Sequence, residues 1–309
     1  MKLKKRDGTV SDIKQCAIIG ATASGKTALA IEMATKYNAV IFSIDSLAIF
    51  KEMDIVSAKP TQKEQAGIRH FGIDALEPTE HFSAAKVALL YQEALAFAKK
   101  QNQHLIIVGG SSFYLKSLLT GLSEIPTFSD KTVSKAKEML ADIEAVYTLF
   151  ERVDPQSLLN IERNDAYRLE KLLLIYLETN EKPSVYYAEH PAQPIIESLE
   201  IFDLQNDRDY LRQRIALRTE LMLKGGLVDE IAKLEYKYGR KPSSMKAIGV
   251  IETLRYLDNE IDLETLKDEI TTHTSQLAKR QTTFNKTQFE NTHQGDKSEL
   301  LPLLDKFFS

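Results

Sequence analysis

The chain has 309 residues, enough for one large or two ordinary domains, with 43% apolar and 27% charged residues. Its net charge of −4 argues against non-specific coating of nucleic acid, although a local basic groove remains compatible with it. A single cysteine, Cys16, excludes an internal disulfide and fits a reducing, cytoplasmic setting; no run is long or apolar enough to cross a bilayer, and the polar start MKLKKRDGTVSDIKQ lacks a secretory signal.

In chain order, CAIIG reads as a short buried strand with Cys16 as an inert thiol, and TALAIEMATKY as the helix that follows it. AVIFSID is a second strand. FSAAKVALLYQEALAFAKKQ is a helix with Ser83 as N-cap. HLIIVGG is a third strand, and SFYLKSLLTG a helix closed by Gly121. This alternation predicts an α/β fold, a parallel sheet covered by helices, and the Gly20-x4-Gly25-Lys26-Thr27 spacing between its first strand and helix makes the expected core phosphate-loop NTPase-like. From about 130 to 190 the pattern is almost purely helical: KTVSKAKEMLADIEAVYTLFERV, then NDAYRLEKLLLIYLETN, with VDP between. ESLEIFDL returns to strand character, and 207 to 290 is again helical. The expected organisation is a core over 1–122, an all-helical insertion over 123–197, and a mostly helical return to the core over 198–309.

Four features carry chemistry. GATASGKT, residues 20 to 27, has the phosphate-loop spacing between a strand and a helix, with Lys26 as cation and Thr27 as a magnesium ligand. The usual acidic residue ending a later strand is missing, because HLIIVGG runs into serines. An acid follows the second strand instead: Asp45 reads as a turn aspartate, a magnesium ligand or a general base. Arg208, Arg212, Arg214 and Arg218 crowd one predicted helix. On pattern alone a solvated face paired with Asp207, Asp209 and Glu220 is favoured over an anion clamp. SQLAKRQTTFNKTQF, 275 to 289, mixes basic and aromatic residues as single-stranded RNA sites do, and as charged helix ends do.

Together these segments resemble the tRNA dimethylallyltransferase (isopentenyltransferase) family, bacterial type, without a C-terminal zinc finger. The matches run in order: GATASGKT, DSLAIFKEMDIVSAKPT, IRHFGID with EHFSAA, VGGSSFYLKSLLTGL, NDAYRLEKLLLIY, MKAIGVIE and QLAKRQTTF. The resemblance implies transfer of the dimethylallyl group from dimethylallyl pyrophosphate to N6 of the adenosine 3′-adjacent to the anticodon. It also implies Mg²⁺ as cofactor, tRNA as partner, and no membrane or obligate protein partner. It makes Gly20, Ala21, Thr22, Ala23, Ser24, Gly25, Lys26, Thr27 and Arg218 the pyrophosphate site, with Lys26, Thr27, Arg218 and Asp45 catalytic and Asp45 the base. The implied tRNA contacts are Asp45, Ser46, Leu47, Ala48, Ser111, Arg168, Lys279, Arg280 and Gln281. The chain departs from the family's usual residues at Ala21, Phe50, Lys171, Phe284 and Lys286. An ATP-dependent small-molecule kinase, an isopentenyltransferase acting on free AMP or ADP, and a non-catalytic RNA-binding protein are the competing readings.

Overall fold

The computed structural model describes residues 13–309; the polar N-terminal stretch read above as lacking a signal lies largely outside the described residues. The chain clusters into two compact units. Thr120–Ile195 forms one, and the segments on either side of it form the other.

The larger unit begins with β1 (Gln15–Gly20), α1 (Lys26–Lys36), β2 (Ala39–Ser43), a one-turn α2 (Asp54–Ser57), a two-residue β3 (His70–Phe71), α3 (Ala84–Gln101), β4 (His104–Gly109) and α4 (Ser112–Thr120). β1, β2 and β4 form because each is a run of β-branched and apolar residues buried on both faces, as a helix-covered parallel sheet requires. Ser83 caps α3 by accepting from the Lys86 amide, as the sequence predicts. β3 has no sequence signature, since two residues are too few to show a period.

The smaller unit is helical: α5 (Asp130–Met139), α6 (Ile143–Val153), α7 (Ala166–Thr179) and α8 (Pro183–Glu189), around Val146, Phe150, Leu169 and Leu173. The stretch read as helical over 131–153 consists of two helices, α5 and α6. The Asp142 carboxylate accepts from the Ala145 amide and starts α6 afresh, so the break is a capping event that apolar periodicity does not reveal. Buried Asp154 accepts from the Ser184 amide at 2.8 Å and hydroxyl at 2.6 Å, which ties the end of α6 to α8.

The chain returns to the larger unit as β5 (Glu200–Leu204), α9 (Arg208–Lys224), α10 (Leu227–Tyr238), α11 (Val250–Leu257), the long α12 (Leu263–Gln288), β6 (His293–Gly295) and α13 (Lys297–Phe308). β6 and α13 lie beyond the helical reading of 207–290. The sheet order is β3-β2-β4-β1-β5-β6, and every pairing is parallel. α1 and α13 cover one side of the sheet, where Leu29, Met33, Leu300, Leu304 and Phe308 pack on Cys16, Ile18, Ile41 and Phe202. Cys16 is fully buried, and burial raises its thiol pKa, so it is a core residue. This sheet brings the C-terminal ends of β1, β2 and β4 side by side, the edge at which ligands bind in open parallel sheets.

Candidate active site

The loop between β1 and α1 is a cradle by conformation. Gly20 has φ +153°, where an added Cβ would come within 2.8 Å of the Leu204 carbonyl oxygen. Ala23 adopts φ +67° and Gly25 φ +93°, which curls successive amides toward the N-terminus of α1. The buried Ser24 hydroxyl finds no partner within the protein. Lys26 Nζ lies under the loop, donating to the Ala21 carbonyl at 3.2 Å. Burial is the largest influence on this amine and, with Arg218 acting in the same direction and Asp45 opposing, pushes its pKa down to about 8.

Asp45 follows β2 on the same sheet edge. Its Oδ1 accepts from the Leu47 amide at 2.9 Å and the Ala48 amide at 3.0 Å, so it is a turn aspartate. It is also a site residue, since it borders two adjoining cavities. One, of about 320 Å³, is walled by Leu47, Val56, Ile215, Met222, Ile248 and Leu277 and also bordered by Thr22, Ser46, Ser111, Arg218 and Gln281. The other is small and polar, bordered by Lys26, Thr27, Ser43, His70 and Arg218. Ser111 accepts from the Ser46 amide at 3.2 Å and so braces the turn that presents Asp45.

The arginines of α9 divide between the two readings. Arg212 pairs with Asp209 at 3.2 Å on the surface, and Glu220 pairs with Lys224 rather than with an arginine. Arg214, though exposed, turns to the phosphate loop, and Arg218 turns inward. Arg214 Nε donates to the Ala23 carbonyl at 2.7 Å. Arg218 donates to the Ser57 carbonyl at 3.1 Å, and burial holds its guanidinium below its ordinary pKa. Arg214 thus touches the loop from a helix nearly two hundred residues away in sequence, and Arg218 borders the cavities beside it, the arrangement an anion clamp would need.

Gln281, an implied tRNA contact, lies against the phosphate loop, a placement that no local pattern carries. Its side-chain carbonyl accepts from the Thr22 amide at 2.7 Å, so it belongs to the phosphate-loop wall. The approach depends on Gly110, where an added Cβ would lie 2.5 Å from Gln281 Nε2. Lys279 and Arg280, its neighbours on α12, are exposed. Arg168 belongs to the helical unit, where it pairs with Asp165 and borders a cavity with Lys171 and Tyr187.

His70 was missed altogether. Its Nδ1 is 2.9 Å from the Ile68 carbonyl, which assigns the proton to Nδ1. Its buried Nε2, with no partner, is left as an acceptor on a ring that burial keeps below the usual histidine pKa range. Pairing of β3 with β2 places it beside the site, a long-range fact that the local sequence does not carry.

Among the described residues, no three His, Cys, Asp or Glu side chains are grouped to hold a metal ion. Thr27 and Asp45 border the same small cavity with oxygen donors. That sparse, hard donor set fits a magnesium ion that takes most of its ligands from a phosphate group and water.

Fold and site together define a phosphate-loop protein whose anion cradle opens onto an apolar chamber bordered by one carboxylate. Comparison with known proteins agrees. The family model described as IPP transferase matches residues 48–288. The tRNA dimethylallyltransferase of Sulfurovum sp. (strain NBC37-1) is 50% identical over 94% of this chain and 97% of its own. A solved tRNA delta(2)-isopentenylpyrophosphate transferase from Staphylococcus epidermidis is 30% identical, with a TM-score of 0.66 over 95% of this chain and 97% of that one. A solved eukaryotic dimethylallyltransferase acting on tRNA is 26% identical, with a TM-score of 0.77 over 88% of this chain and 70% of that one. The chain belongs to the IPP transferase family, as the sequence motifs imply.

Proposed function

We propose that this protein transfers the dimethylallyl group of dimethylallyl pyrophosphate to N6 of the adenosine 3′-adjacent to the anticodon of tRNA, giving N6-isopentenyladenosine. The observation that carries this reading is that Asp45 and Arg218 share one apolar-walled chamber with Thr22 of the phosphate loop. A small-molecule kinase accounts for the loop and the sheet but gives no role to the basic and aromatic residues of α12.

The reaction divides among these residues. The C1–O bond of the allylic donor breaks, and its electron pair leaves with the diphosphate. The amides at the start of α1, including those of Lys26 and Thr27, the Lys26 amine and the Arg218 guanidinium stabilise that charge by electrostatic preorganisation. Thr27 would hold a magnesium ion, which when bound neutralises part of the leaving charge. The apolar wall of Val56, Ile215 and Met222 excludes water from the allylic carbon. The N6 lone pair forms the new C–N bond, and the N6 proton passes to Asp45, whose Oδ2 is not committed to the turn.

The target base must leave the anticodon-loop stack to reach the chamber. Ser46, Leu47, Ala48 and Ser111 form its side of the pocket; Lys279 and Arg280 meet the RNA backbone, and so does Arg168 in the helical unit, which serves as the tRNA-binding module. Gln281 orders the loop wall between donor and acceptor. Among the described residues no helix is long and apolar enough to cross a membrane, and a cytoplasmic, monomeric enzyme is the matching setting.

The test is donor binding and turnover in Arg218→Ala and Asp45→Asn. Arg218→Ala should raise the donor KM and lower kcat, together by about 10²–10³ in kcat/KM. Asp45→Asn should retain tRNA affinity and lose turnover. Unaltered donor kinetics in the first, or unaltered turnover in the second, would remove that residue from the mechanism.

A further inference from the structure

Ala58-Lys59-Pro60-Thr61 is among the most distinctive motifs of the chain, yet Lys59 does not sit in the phosphate cradle as a free cation. Its Nζ donates to the Phe50 carbonyl at 2.6 Å and pairs with Asp54 at 2.8 Å and Asp74 at 2.5 Å. The side chain is 6% exposed. It pins the short α2 from below. Ser57, the last residue of α2, donates its hydroxyl to the Met53 carbonyl at 2.5 Å. Ala58 then leaves the helix at φ +48°.

A four-residue helix has no stability of its own, because nucleation costs more than one turn returns. α2 is held instead at both ends by α9 and α10, which are joined through Gly225 and Gly226. At its N-terminal end the Glu230 carboxylate of α10 accepts three backbone amides: Asp54 at 3.0 Å, Ile55 at 2.8 Å and Val56 at 2.9 Å. At its C-terminal end the Ser57 carbonyl accepts from Arg218 of α9 at 3.1 Å. Moving α2 therefore moves the acceptor that orients the Arg218 guanidinium, and it also moves Ala58 and Lys59, which border the cavity on the outer side of the phosphate loop.

We infer that Glu230 is a positioning residue for the diphosphate site: by gripping the amides of α2 it sets the Ser57 carbonyl, and through it Arg218, against the phosphate loop. This rests on the donor site proposed above. Glutamine at this position keeps the size but offers a donor group to amides that need an acceptor, so the grip loosens without leaving a cavity.

The experiment measures binding of inorganic pyrophosphate with Mg²⁺ to the full-length chain by calorimetry, for wild type, Glu230→Gln, Arg218→Ala and the double variant, with donor KM, kcat, tRNA affinity and Tm alongside. Glu230→Gln should weaken pyrophosphate by about tenfold, the usual order for losing charge-assisted hydrogen bonds that orient a ligand group. It should raise donor KM and leave tRNA affinity unchanged. The double variant should bind no more weakly than Arg218→Ala alone, since one residue acts through the other. Should Glu230→Gln not fold, Glu230→Asp, which keeps the charge and shortens the reach, carries the same expectation. Unchanged pyrophosphate affinity in a folded variant, or losses that add in the double variant, would overturn the inference. Wild-type protein that binds pyrophosphate but prenylates no tRNA would overturn the proposed function while leaving the Glu230 comparison readable.

Discussion

Asp45 has two carboxylate oxygens, and folding uses one. Oδ1 holds the turn through the Leu47 and Ala48 amides, which fixes the direction of Oδ2 without consuming it. Asp45→Asn keeps the turn acceptor and removes the base, so it should lower kcat by about 10²–10⁴ with little change in Tm, read by single-turnover kinetics and thermal unfolding. Asp45→Ala removes both and should lose stability as well. Lys26 makes a pH prediction. Its amine titrates near pH 8 in the free protein because burial disfavours the charge. A bound diphosphate favours the protonated form, so binding above pH 8 must take up a proton. Donor affinity should then fall by up to about tenfold per pH unit between pH 8 and pH 9.5, a dependence that Lys26→Met should lack. Equal wild-type and variant pH profiles would contradict it. Lys26 and Asp45 are legible in the sequence because a strand, a loop and a helix in series place them. The Thr22–Gln281 hydrogen bond spans 259 positions, and no local pattern encodes it.

At the scale of elements, the Gly109-Gly110 end of β4 has a steric reason. A Cβ on Gly109 would meet Ile44 Cγ1 at 2.6 Å, and one on Gly110 would meet the Gln281 amide at 2.5 Å. Gly110→Ala should push the Gln281 side chain off the Thr22 amide and raise the donor KM several-fold, the order of one neutral hydrogen bond of about 0.5–1.5 kcal/mol. Gln281→Ala should do the same, and unchanged donor kinetics in both would detach Gln281 from the loop. In the helical unit, Asp142→Ala removes the cap that separates α5 from α6 and should cost about 0.5–2 kcal/mol in thermal unfolding. That break was hidden because the residues around it keep a helical apolar period; only the side-chain hydrogen bond distinguishes a cap from a surface aspartate. The arginine helix was ambiguous for a similar reason. Periodicity places Arg214 and Arg218 on one face but does not say what the face meets.

Across the whole molecule, the alternation of strand and helix was enough to read the parallel sheet, since strands buried on both faces are unmixed apolar runs. The order of the strands was not readable, nor was β6, because His293–Gly295 has neither apolar residues nor length and is a strand only through its pairing with β5. Charge is another property of the whole. With a net charge of −4, the proposed affinity for tRNA requires local cations, and Lys279, Arg280 and Arg168 are the ones proposed above. It should fall steeply with salt, and each of these residues changed to alanine should reduce the slope of log affinity against log salt by about one. A slope insensitive to all three would place the RNA elsewhere.

The central claim is that the loop at residues 20–27 holds the leaving diphosphate of a prenyl donor while Asp45 deprotonates an adenine amine of tRNA. The most direct measurement incubates the full-length protein with dimethylallyl pyrophosphate, Mg²⁺ and unmodified tRNA, then digests the RNA and weighs its nucleosides, with Asp45→Asn in parallel. The account predicts N6-isopentenyladenosine at the adenosine following the anticodon with the wild type and, over the same time, a yield lower by about 10²-fold or more with the variant. Prenylation of free AMP in place of tRNA, or phosphate transfer from ATP with no prenylated nucleoside, would contradict it.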